Sequence, residues 1–133
     1  MTTVFADTAF YVALVNPRDA VHDAAVAFSE GFLDKTLTTE YVLVEVGNWL
    51  ARSGDRDVFV ELVRRLRAAP NATILAGGPD LFEAGLALYS HRGDKGWSMT
   101  DCISFAVMQR HRLTEALTTD RHFEQAGFKV LLR

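Results

Sequence analysis

Four acids in this 133-residue chain are placed where they could act together: Asp7, Glu45, Asp101 and Asp120. Asp7 closes the apolar run Val4-Phe5-Ala6 and is followed by a helical pattern. Open α/β sheets carry their chemistry just beyond the carboxyl ends of strands. Glu45, Asp101 and Asp120 occupy comparable positions later in the chain. Converging carboxylates provide hard oxygen ligands, which suit Mg²⁺ or Mn²⁺. The four are therefore expected to meet and hold divalent metal.

Each acid also has a structural reading. Asp is a good N-cap, so Asp7 could serve only the helix behind it. Glu45 lies in Tyr41-Val-Leu-Val-Glu45-Val-Gly-Asn-Trp-Leu50, apolar on almost every side. Such a helix is expected to be buried. A carboxylate within it needs metal, a partner Arg or an edge open to water. Ser98-Met-Thr-Asp101 fits a capping box, a role compatible with facing a cleft. Asp120 could be a turn or cap residue. Asp94, in Gly93-Asp94-Lys-Gly96, reads as a turn acid.

Other constellations are missing. No Gly-rich phosphate loop has standard spacing. No His pair stands at i, i+4, so a histidine zinc site is not expected. His22, His91, His111 and His122 are spread widely, and no Ser sits in a nucleophile elbow. Cys102 is the only cysteine and lies in an apolar run, the pattern of a small core residue.

Alternating strands and helices must position the acids. Strands are predicted at 4–6, 35–38, 72–76, 116–118 and 128–132. Helices are predicted at 8–15, 19–33, 40–52, after Ser53-Gly54-Asp55 to about Ala69, from Pro79 to about His91, and from Ser98 to near Arg112. This order implies a mostly parallel sheet of about five strands, covered by helices on both faces. No repeat or linker interrupts it, so residues 1–133 are expected to form one domain.

Composition narrows the function. Hydrophobic residues make up 49% and charged residues 23%, enough for a core and a solvated surface. Net charge is −3, from 14 basic and 17 acidic residues, which argues against nucleic-acid binding by bulk charge. The basic set is eleven Arg against three Lys, and Arg suits bidentate phosphate contacts. The N-terminal residues lack a basic region and a long apolar one, and no run approaches the ~18 apolar residues of a spanning helix. A cytoplasmic protein without membrane attachment is expected.

The sequence resembles the PIN-domain ribonucleases, and more closely the toxin members of bacterial VapBC-type toxin–antitoxin pairs. The likeness rests on Phe5-Ala-Asp7-Thr8, on Thr38-Thr39 with Glu45 six residues after Thr39, on Trp97-Ser-Met-Thr-Asp101-Cys-Ile-Ser-Phe105, and on Leu117-Thr118-Thr-Asp120-Arg-His-Phe123 through Phe128. The resemblance implies a three-layer α/β/α fold and metal-dependent endoribonuclease activity. It also implies a homodimer and a small antitoxin partner. The acids it carries over are Asp7, Glu45, Asp101 and Asp120, with Thr8 and Thr118 as hydroxyls near the metals.

On this reading Asp7, Asp101 and Asp120 share one ion, while Glu45 serves a second ion or acts as a base. Two Mg²⁺ would move the net charge from −3 to about +1, letting RNA approach. Lys95, Arg110, Arg112 and Arg121 are candidates for positioning phosphates. An aspartyl phosphatase would pair two acids on the first strand, and Asp7-Thr8-Ala9 has one. A phosphoacceptor signalling module would place a Lys late in the sheet, and Lys129 falls inside the last strand. A non-catalytic binding module on the same fold is the remaining alternative.

Overall fold

In a computed structural model, which describes residues 2–31 and 35–132, the apolar run at the start of the chain becomes the middle of a sheet. Five strands run through it in the order β3-β2-β1-β4-β5: β1 Thr3–Ala6, β2 Lys35–Thr39, β3 Ala72–Leu75, β4 Glu115–Leu117 and β5 Lys129–Val130. All four pairings are parallel, where the sequence implied a mostly parallel sheet. Among the described residues seven helices join and cover the strands in a three-layer α/β/α arrangement. They are α1 Thr8–Val15, α2 His22–Gly31, α3 Glu40–Arg52, α4 Arg56–Ala68, α5 Pro79–His91, α6 Met99–Arg110 and α7 Arg121–Gln125.

The strand order creates the site. From β1 the chain steps outward through β2 and β3, then returns to pair β4 against the other side of β1. The direction of winding reverses between β1 and β4, and such a switch point opens a crevice beyond the strand ends. Phe5 pairs with Ala116 and Ala6 with Leu117, so Asp7 and Thr118 emerge side by side.

Three helices depart from the expectations of the sequence. In α3, Val44 is 59% and Trp49 36% exposed, so this helix is not buried all round. Its buried side is Val42, Leu43, Val46 and Leu50. The enclosed helix is α6, where every residue from Asp101 to Met108 is buried. Gly85 of α5 permits its close cover, since a Cβ there would meet the Ile103 Cα at 3.0 Å. Helix α2 begins at His22, because the Asp19 carboxylate holds the Val21 N–H in a turn. Its predicted end at Leu33 lies outside the described residues. Helix α7 was not predicted, since five residues show too little periodicity.

An aromatic stack fixes α6 and α7 on β1. Phe105 meets Phe123 edge-on at 4.9 Å, Trp97 meets Phe105 at 4.9 Å, and Phe5 lies 6.2 Å from Phe123. The Trp97 indole N–H donates to Gln125 Oε1 at 3.0 Å. Aromatic pairs add about 0.5–1.5 kcal/mol each beyond their burial. The stack thus ties together the helices that carry Asp101 and Asp120. No helix among the described residues is long and apolar enough to cross a membrane.

Candidate active site

Asp7 stands at the N-cap position of α1, yet its side chain makes no capping hydrogen bond. Oδ2 instead accepts from Thr118 Oγ1 at 2.8 Å. Burial pushes this carboxyl up to about 7. The hydrogen bonds from Thr118 and the Thr8 backbone oppose the rise, and the charges of Asp101 and Asp120 add to it. A bound cation reverses such a balance, because it favours the ionised carboxylate.

Asp101 combines both roles open to it. Its N–H donates to Ser98 Oγ and its Oδ2 accepts from the Ser98 N–H, closing the capping box. The same Oδ2 lies 2.9 Å from His122 Nδ1. Asp120 caps α7 by accepting from the His122 N–H at 2.9 Å. Thr118 links two of the acids, because its hydroxyl accepts from the Asp120 N–H at 3.1 Å while donating to Asp7.

Glu45 reaches the crevice from α3, where it is half-buried. Thr39 sets the start of this helix, its hydroxyl accepting from the Val42 N–H at 3.2 Å. Glu45 Oε1 accepts from Thr8 Oγ1 at 2.6 Å, and no Arg among the described residues pairs with it. Both threonines singled out in the sequence therefore hold a carboxylate.

The four acids line one cleft of about 710 Å³. A fifth carboxylate, Asp19, joins them, and no Lys or Arg is among the described lining residues. Lys95, Arg110, Arg112 and Arg121 are therefore not part of this cleft. Asp94 pairs instead with Arg92 at 3.0 Å on the surface.

Among the described residues Asp101, Asp120 and His122 form a group in which each offers one ligand atom within 4.8 Å of the others. Sequence reasoning missed His122. The signal was the Asp120-Arg-His122 spacing, since an Asp that caps its own turn brings residue i+2 back beside it. Two carboxylates and an imidazole fit a divalent ion, with Asp7 and Glu45 in the same cleft.

A family model, the PIN domain, matches residues 4–129. This chain belongs to the PIN domain family. It is 29% identical over 126 residues to the 23S rRNA-specific endonuclease VapC20 of Mycobacterium tuberculosis, covering 94% of this chain and 95% of that protein. The crystal structure of Mycobacterium tuberculosis VapC20, described as a Sarcin-Ricin loop cleaving toxin, superposes with a TM-score of 0.87 at 26% identity, over 96% of this chain and 98% of the other. A toxin–antitoxin complex from Klebsiella pneumoniae shares the fold with a TM-score of 0.61 at 21% identity, over 89% of this chain and 87% of that one.

Proposed function

We propose that residues 1–133 form one metal-dependent endoribonuclease domain, the toxin of a cytoplasmic toxin–antitoxin pair. The observation that carries this reading is the convergence of Asp7, Glu45, Asp101 and Asp120 on one cleft at the switch point of a PIN-domain sheet. The likeness to a 23S rRNA-specific endonuclease supports ribosomal RNA as the substrate class.

Asp101 and Asp120, with Asp7 beside them, would hold Mg²⁺ or Mn²⁺. When bound, the metal supplies Lewis acidity for in-line attack of water on a phosphodiester. Thr118 keeps the Asp7 carboxylate turned into the cleft, and the capping box keeps Asp101 turned toward His122. Glu45, aimed by Thr8, faces them from α3 and takes a proton from the attacking water or serves a second ion. With five carboxylates and no Lys or Arg among the described residues that line the cleft, metal has to enter before RNA.

The chain acts as a homodimer, two-fold pairs being the commonest assembly. Its antitoxin inhibits by presenting Arg or Lys to the acids, competing with metal for the same oxygens. Purified protein incubated with ribosomal RNA and Mg²⁺ should cleave it and stop cleaving in EDTA. Cleavage that persists in EDTA would refute the metal-dependent reading.

A further inference from the structure

The acidic cleft has one large aromatic ring among its described lining residues, Trp49. It lies one helical turn beyond Glu45 on α3, and residues i and i+4 share a helix face. Trp49 is 36% exposed, whereas Trp97, the other tryptophan, is 6% exposed and packed on Phe105. The Trp49 indole N–H has no hydrogen-bond partner among the described residues, and no ring packs on its own. A part-exposed indole beside a carboxylate cluster is out of place in a purely ion-binding pocket.

The charge of the cleft sharpens the point. Asp7, Asp19, Glu45, Asp101 and Asp120 all line it, and no Arg or Lys does among the described residues. A nucleic acid entering here cannot be held through its phosphates by lining cations. Bases offer a neutral alternative, since every base has a π-face that stacks on an aromatic side chain. Val12 and Val21 add apolar wall to the same space.

We propose that the Trp49 indole is the platform on which a nucleobase next to the scissile phosphate stacks, making it a substrate-positioning residue. The inference rests on the endoribonuclease reading. Substrate would then be held in two ways, by its phosphate at the metal that the acids would hold and by a neighbouring base on Trp49. Stacking recognises a π-face, so Trp49 contributes affinity for unpaired nucleotides and little preference among the four bases.

The test uses full-length protein with Mg²⁺ and a short single-stranded RNA containing one cleavage site. A matched RNA carries abasic residues beside that site. Trp49→Ala is expected to raise KM about tenfold, with most of the loss in KM and not in kcat, and Trp49→Phe to recover most of it. On the abasic RNA the three proteins should have similar KM. In a Glu45→Gln background the RNA should quench indole fluorescence, and Trp49→Phe should remove that quench because Trp97 is buried. Equal KM for wild type, Trp49→Ala and Trp49→Phe on the base-containing RNA would overturn the proposal while leaving the nuclease reading intact. So would a Trp49→Ala penalty that persists on abasic RNA. A Trp49→Ala protein that loses its dimer in light scattering but keeps its KM would make Trp49 an interface residue and overturn it too. A wild-type protein that cleaves no RNA in Mg²⁺ would overturn both readings.

Discussion

The two walls of the cleft are built differently. One comes from the ends of β1 and β4 and the starts of α6 and α7. There Thr118 bridges Asp7 and Asp120, Ser98 brackets Asp101, and His122 lies 2.9 Å from Asp101 and 3.5 Å from Asp120. Behind it stand the Phe5, Phe105 and Phe123 rings and a fully buried stretch of α6. The other wall is α3. It supplies Glu45, held among the described residues by Thr8 alone, and the exposed Trp49. Packing and hydrogen bonds lock rotamers, and an ion needs ligands fixed within a fraction of an ångström. The bonded wall suits the metal, and the open wall suits a substrate that arrives and leaves.

If that division holds, damage to the bonded wall costs most. Asp120→Asn keeps its N-cap, since Asn caps about as well as Asp, and Asp101→Asn keeps an oxygen that can accept from the Ser98 N–H. They should nevertheless lose at least ~100-fold in cleavage, more than changes that only support a ligand. Glu45→Gln should also lose cleavage but keep the first ion. Titration calorimetry separates them, and equal loss of metal binding in all three variants would erase the distinction between the walls.

Asp7 gives the next largest effect, in stability without metal. Its carboxyl is pushed up to about 7 by burial, so the native state keeps a proton that the unfolded chain releases near its ordinary value of 3.8. The native state binds more protons across that window, so this contribution is fully present below about pH 4 and is lost as pH rises through about 7. The loss is about 4 kcal/mol. Asp7→Asn should therefore melt higher than the parent at pH 8 in EDTA, and the difference should shrink toward pH 5. A variant that melts lower at pH 8 would show that the Asp7 carboxylate is structural.

Much of this arrangement was legible in the chain, for identifiable reasons. Asp7 and Asp120 follow strand ends, and Ser98 to Asp101 spells its own cap, so local pattern locates them. Burial of α3 was misjudged because an apolar run says nothing about which neighbours reach it. Val44 and Trp49 face outward, while α6, with Gln109 and Arg110 at its end, is the enclosed helix. The absence of Lys and Arg from the described lining of the cleft depends on tertiary placement and has no local signature.

The two threonines give a finer comparison of the walls. The Thr118 hydroxyl contacts two acid-bearing segments, and the Thr8 hydroxyl contacts one. Thr118→Val should cost about 10–100-fold in metal affinity or cleavage, and Thr8→Val less. Measuring kcat/KM and metal affinity for both variants checks the order, and a larger loss for Thr8→Val would reverse the assignment of the walls.

The central claim is that the acids at the β1–β4 switch point hold the metal with which RNA is cut. The most direct measurement is titration of Mn²⁺ into metal-free wild type and Asp101→Asn, with ribosomal RNA cleavage followed in the same samples. Binding and cleavage should rise together in wild type, and both should be lost in Asp101→Asn. Equal Mn²⁺ binding by the two proteins, or cleavage by wild type before any metal is added, would contradict it.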